Sequence, residues 1–259
     1  MKILLAVGTL LLFSFPAWPA EQFGTVDAIT GSAYIPDPSG KPVQIVSGQV
    51  IYEGQTISSG PDGEVHIVTE DGGMIAVRPD TVFRVDEYKA DGDSADKIFM
   101  SLFKGAVRSI TGWIGKYNSS AYRITTPSAT VGVRGTDHET VVIDKGDGDE
   151  PGTYDTVNEG ATVLDTQQGR AEVTPGKFAF APRSGMRAPY FLDRRPRFFE
   201  RRHLRNEGRI RERRELLRTH LERSRARRIE HLRELRGVHD GGRGHRRPLR
   251  EHRRRDMRE

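Results

Sequence analysis

The sequence predicts an all-β fold: a domain of short strands, followed by an arginine-rich segment of different character. Three observations carry this. Between Phe23 and Ala181, alternating segments such as Val65-His66-Ile67-Val68-Thr69 and Val82-Phe83-Arg84-Val85 are separated by dense turns. Examples are Gly31-Ser32, Ser59-Gly60-Pro61-Asp62-Gly63, Asp71-Gly72-Gly73 and Asp91-Gly92-Asp93. Period-two alternation bounded by Gly and Asp argues for strands and hairpins rather than βαβ units. Charge is also split. Residues 21–192 hold 15 Lys+Arg against 24 Asp+Glu, a balance of −9, whereas residues 193–259 hold 25 Arg against 12 acids, a balance of +13. The chain's +5 therefore describes a tail, and the folded part is acidic.

In chain order, Met1-Lys2 and the apolar run from Ile3 to Phe15 read as a secretory signal peptide over residues 1–20, with cleavage after Ala20. The run is shorter than the about 20 residues a spanning helix needs. The mature protein is expected to be periplasmic or secreted. Absence of cysteine excludes disulfides, thiolate metal sites, a cysteine nucleophile and a lipid-accepting cysteine. Glycine before an alternating pair recurs at Gly24, Gly48, Gly63 and Gly105 without a fixed period, a degenerate solenoid-like pattern. Pattern alone does not separate a solenoid from a sandwich.

The densest stretch is Ile124-Thr125-Thr126-Pro127-Ser128-Ala129-Thr130-Val131-Gly132-Val133-Arg134-Gly135-Thr136-Asp137-His138. Pro127 lacks a backbone donor and is expected at a strand start or edge. Thr130, Val131 and Val133 favour extended, half-buried backbone. Gly132 and Gly135 are expected to mark a bulge or a close backbone approach. Arg134, set among small and apolar residues, is expected to pair with Asp137 or Glu139. A bulged core strand with a structural arginine is the simpler reading, and a ligand contact through Arg134 the other.

The blocks Thr126-Pro127-x-Ala129-x-x-x-Val133-Arg134-Gly135-Thr136, Gly48-Gln49-Val50-Ile51-Tyr52-Glu53-Gly54, Asp71-Gly72-Gly73-Met74-Ile75-Ala76-Val77-Arg78-Pro79-Asp80-Thr81 and Leu102-Phe103-Lys104-Gly105-Ala106-Val107 together resemble the FecR-type domain, a bacterial periplasmic module. The resemblance covers roughly residues 23–143 and departs at His138, where family members often carry an aromatic residue. It implies a twisted β-solenoid-like domain that makes protein–protein contacts, with Thr126, Pro127, Val133, Arg134, Gly135 and Thr136 as motif and interaction residues. Its namesakes relay iron-chelate signals from an outer-membrane receptor to a cytoplasmic sigma factor. That relay needs a membrane helix and a cytoplasmic segment, which this sequence does not show, so sigma regulation is not expected to transfer.

Strands beyond the motif, from Thr153 through Ala181, extend the same core, giving one domain over residues 21–192. Pro182, Pro189 and Pro196 then mark a linker. Over residues 193–259 the period changes. Ile210, Leu217, Leu221, Leu232 and Leu235 form a narrow helical stripe, and the end of the chain reads as disordered. Arg211, Arg214, Arg218, Arg225 and Arg228 offer planar cations to polyanions. Nucleic acid does not suit an exported protein, so an anionic lipid, a cell-wall polymer or an acidic protein face is the expected partner of the tail.

Catalysis finds no support. Ser128, Asp137 and His138 lack a nucleophile elbow and an oxyanion sequence. Neither Asp91-x-Asp93-x-x-Asp96 nor Asp144-x-x-Asp147-x-Asp149-Glu150 matches a Ca²⁺ loop, and both read as solvated turns. His66 stands alone, and no phosphate or dinucleotide loop appears. The expectation is a non-enzymatic protein without metal or cofactor that meets an unidentified envelope protein. The alternative is an envelope-associated structural protein that uses its basic tail.

Overall fold

The computed structural model describes residues 20–144 and 149–199, with residues 208 and 210 beyond them. Residues 1–19 of the expected signal peptide and the tail arginines Arg211, Arg214, Arg218, Arg225 and Arg228 lie outside the described residues. No helix among the described residues is long and apolar enough to cross a membrane.

The described chain is all-β, as expected, and its strands join one open sheet. In order they are β1 (Gln22–Thr30), β2 (Ala33–Pro36), β3 (Pro42–Gln44), β4 (Val50–Tyr52) and β5 (Thr56–Ser59). Next come β6 (Glu64–Thr69), β7 (Met74–Val77), β8 (Val82–Lys89) and β9 (Lys97–Ile110). A short helix α1 (Trp113–Tyr117) leads to β10 (Tyr122–Thr125), β11 (Thr130–Ile143) and β12 (Gly152–Thr166). The last strands are β13 (Gly169–Val173), β14 (Phe178–Pro182) and β15 (Tyr190–Phe191).

Not all strands are short. β9 and β11 have 14 residues each and β12 has 15, and each changes partners midway. The first half of β9 pairs with β8 and β10, and the second half with β7 and β11. β11 passes from β10 to β9, and β12 from β14 to β13. The sheet thereby folds into two layers that share these three strands. One runs β4-β1-β6-β7-β9-β11-β12-β14-β15 and the other β3-β2-β5-β8-β9-β10-β11-β12-β13.

Each long strand carries a glycine in left-handed conformation where it changes layer: Gly105 at φ 86°, Gly135 at φ 58° and Gly160 at φ 82°. Such backbone is costly for any residue with a Cβ, so glycine sets the corners. Among the described strands only the β9–β10 pair is parallel, so the pairing does not bear out the expected solenoid-like stack of coils.

Alternation places one face of most strands in the main core between the layers, including Val65, Ile67, Val77, Phe83, Met100, Leu102, Val131 and Val133, whereas β3 and β15 are exposed. The outer face of the first layer is also buried. Phe198 and Phe199, just past a boundary expected at residue 192, pack with Tyr154, Phe180, Val141 and Ala106. Ile210 packs with Met74 and Ala76. Residues expected in the tail thus contribute apolar contacts to the β-domain.

Candidate functional site

β10 and β11 form a hairpin whose turn is the Thr126–Ala129 segment. The Thr126 N–H donates to the Ala129 carbonyl at 2.9 Å, and the Ala129 N–H donates to Thr126 Oγ1 at 3.0 Å. Thr126 Oγ1 and Ser128 Oγ both reach Thr153 Oγ1, at 2.6 and 2.7 Å, and Ser128 also donates to the Ala181 carbonyl at 3.2 Å. The turn is therefore pinned to β12 and β14. Pro127 sits within this turn and is exposed, rather than at a strand start, so its missing N–H costs no ladder bond.

From the turn, β11 alternates cleanly. Val131 and Val133 point into the core, whereas Thr130, Gly132 and Arg134 face outward on the second layer. Gly135 then carries the bulge, as expected. Beside it, Thr136 is fixed by reciprocal bonds: its N–H donates to Thr111 Oγ1 at 2.9 Å, and its carbonyl accepts from the Thr111 N–H at 2.9 Å. Gly132 departs from expectation. It lies in regular register between Arg123 and Val163, has no positive φ, and a Cβ built on it meets nothing within 4 Å.

Arg134 is exposed, and it pairs with neither Asp137 nor Glu139. The bulge turns the chain between them, and both acids have arginines on the first layer. Arg108 binds Asp137 in bidentate fashion at 2.8 and 2.9 Å, with Asn158 Nδ2 adding a bond at 3.2 Å. Arg78 lies 3.5 Å from Glu139 and 3.3 Å from Glu64, which also takes His66 Nε2 at 2.6 Å. This row is buried and went unread in the sequence. Its only sequence signal is that Glu64, His66, Arg78 and Arg108 occupy outward positions beside inward valines and isoleucines.

A groove of about 630 Å³ opens at the hairpin turn. Its walls are residues 126–130, the end of β12 with the turn after it (Asp165, Thr166, Gln167, Gln168), and Arg183 with Gly185 after β14. Three chain turns thus meet at one end of the domain, the usual place for contacts because a rigid scaffold holds loops there. The lining is mostly hydroxyl and amide, with no aromatic ring. Asp165 is paired with Arg170 at 3.2 Å, and Arg183 with Asp144.

Other constellations read as structure. Ser128, Asp137 and His138 form no triad: Ser128 is bound in the turn, Asp137 is held by Arg108, and His138 faces Asp155 at 3.3 Å inside the core. No group of three metal-ligating side chains occurs among the described residues. Asp96 accepts the Asp91 N–H at 2.7 Å, the Gly92 N–H at 2.9 Å and the Trp113 ring N–H at 3.0 Å, which accounts for that acidic turn. The second acidic cluster falls partly on residues 145–148, outside the described residues. Burial raises the Asp71 carboxyl above its usual range against bonds from Thr69, Gly73 and Ile114, and burial likewise raises the Tyr122 hydroxyl.

Residues 55–163 match the family model described as FecR protein. The match starts later than the resemblance read from the sequence and runs further, to the second half of β12. Two crystal structures of a "putative anti-sigma factor" from Parabacteroides distasonis are similar at 15% identity and a TM-score of 0.42, covering 53% of this chain. The chain spans 58% of the length of that protein. No curated protein matches.

Proposed function

We propose that this chain, which carries a FecR-family domain over residues 55–163, is a non-enzymatic binding and sensing module that acts by protein–protein contact in the bacterial envelope. The observation that carries the reading is where the matched signature sits. Its hairpin turn borders an open groove at the end of the domain where three turns converge, and Arg134 extends outward further along the same strand. The potential nucleophile, acid and base are spent on structural bonds, which fits contact rather than turnover. The N-terminal apolar run, read as an export signal, supports a periplasmic location, the compartment that the family resemblance implies.

The test is photo-crosslinking in intact cells, with the reactive residue placed at Gln167 or Thr130 in the groove and, as a control, at exposed Lys41. A discrete protein adduct from the groove positions and none from Lys41 is the expected result. Equal, diffuse labelling from all three would refute a contact module.

The −9/+13 charge split favours a second reading, in which the basic tail holds the domain on an anionic lipid or cell-wall polymer. Deletion separates the two readings. Because Ile210 is buried, the cut belongs after residue 210. A contact module keeps its protein adduct without residues 211–259, whereas a tail-anchored structural protein leaves the envelope fraction.

A further inference from the structure

We propose that the outward face of β11, from the groove at Pro127 to Arg134, is a track that seats an extended, acidic segment of a partner protein. This rests on the contact-module reading above and names the site and the chemistry of the partner.

The inference comes from residues the fold does not require. Ala129 at the end of the turn and the inward Val131 and Val133 of β11 are accounted for by the core they fill. The outward ones are not. Glycine at position 132 weakens a strand, through chain entropy and the missing side chain, unless backbone geometry or close approach demands it. Here neither does: its φ is ordinary and the space above it is open. What Gly132 provides is a gap in an otherwise continuous surface, bounded across the sheet by Arg123 on β10 and Val163 on β12. Small Thr130 continues the gap into the groove. The strand face from Thr130 to Arg134 has the length of about five extended residues, at ~3.4 Å each, and the turn at Pro127 adds the groove at its end.

Charge selects the occupant. The Arg123 guanidinium lies 3.6 Å from the centroid of the Phe99 ring, which holds it extended over the sheet. Neither Arg123 nor Arg134 has a carboxylate within ion-pair distance among the described residues. Lys97 is ion-paired with Glu87, which also feels the charge of Arg123 from beyond ion-pair distance, and Asp165 with Arg170, so Arg123 and Arg134 are the cations outside direct ion pairs on this stretch of a domain whose net charge is −9. Arginine binds carboxylates through paired, directional N–H donors. The groove lining carries no aromatic platform on which a sugar ring would stack, while its hydroxyl and amide groups match the donors and acceptors of an extended backbone.

Gly132→Thr tests the track directly, because an ordinary φ and open space let the new side chain sit without strain while it fills the gap. The probe is a displayed library of random heptapeptides, selected on the full mature chain and then measured individually on wild type, Gly132→Thr and Arg134→Gln. Enrichment of Asp- and Glu-containing sequences that bind both variants at least tenfold more weakly, with thermal midpoints at or above that of wild type for Gly132→Thr, is the expected result. Selected peptides that bind Gly132→Thr as tightly as wild type would show that the acidic segment sits elsewhere, the arginine tail included, and would overturn the track. So would a selection with no acidic enrichment. In either of those cases a groove adduct in cells would still stand for the contact module, so the two claims fail separately.

Discussion

Replacing the corner glycines by alanine should produce a graded loss of stability that follows from the geometry at each site. Gly160 has φ 82°, and a Cβ there would lie 2.3 Å from the carbonyl oxygen of Gly135, a backbone atom that cannot rotate away. Gly160→Ala therefore combines left-handed strain of about 1–2 kcal/mol with a backbone displacement of about 1–3 kcal/mol. The stiffer unfolded chain returns about 0.4–1 kcal/mol, so the net cost is about 2–4 kcal/mol. Gly135 has φ 58° but its nearest contact would be 3.8 Å away, so Gly135→Ala keeps only the strain and costs about 0.5–1 kcal/mol. A β-branched Gly135→Val costs more, about 1–3 kcal/mol. Gly132→Ala has neither strain nor overlap and should stabilise by about 0.4–1 kcal/mol. Urea unfolding followed by Trp113 emission reads all of them, since Trp113 is the one tryptophan after residue 20. Equal midpoints for Gly160→Ala and Gly135→Ala would refute the corner geometry, and a loss in Gly132→Ala would refute the open face.

Phe199→Ala removes a ring that is 1% exposed and should cost about 3–5 kcal/mol, visible as a shifted urea midpoint; a neutral outcome would mean residues beyond 192 do not belong to the domain. Arg108→Ala leaves Asp137 buried without its bidentate partner and should cost about 3–5 kcal/mol, more than Ser128→Ala at under about 1 kcal/mol; calorimetric melting compares the two. Asp71 supplies a pH dependence. Its carboxyl pKa rises on folding, so the native state holds the proton more tightly than the unfolded chain does. That contribution is full below the ordinary value of 3.8 and is lost as pH rises through the native value. Asp71→Asn removes this slope, so its stability relative to wild type should improve as pH rises above the ordinary value of 3.8 in matched urea titrations. A constant difference would show that Asp71 does not titrate with folding.

The fold class was legible because alternation and turn chemistry are local: Asp91-Gly92-Asp93 and Gly60-Pro61-Asp62-Gly63 mark turns whatever surrounds them. The bulge at Gly135 was legible for the same reason. Partner exchange along β9, β11 and β12 was not, because a long strand that bends at a glycine reads as two short strands with a turn between them. Arg134 was misplaced by a related error. Proximity to Asp137 and Glu139 in sequence suggested a pair, but one left-handed residue sends the two sides of the bulge to different layers. Asp137 instead finds Arg108, 29 positions away. Phe198, Phe199 and Ile210 were assigned to a tail by composition, since the arginines around them dominate any window average. The candidate site was half legible. The signature was evident, but the groove depends on the turns at 166–169 and 183–185, which carry no motif, and on which side of β11 faces outward.

The division of β11 into an inward half that makes the fold and an outward half that makes the contact is tested most directly by measuring stability and groove crosslinking together in Val133→Ala and Gly132→Thr. Val133→Ala should lower the unfolding midpoint while leaving the adduct yield per folded molecule unchanged. Gly132→Thr should hold or raise the midpoint while losing at least nine-tenths of the adduct. The account is contradicted if Gly132→Thr crosslinks as wild type does, or if it loses the adduct only in step with lost folding.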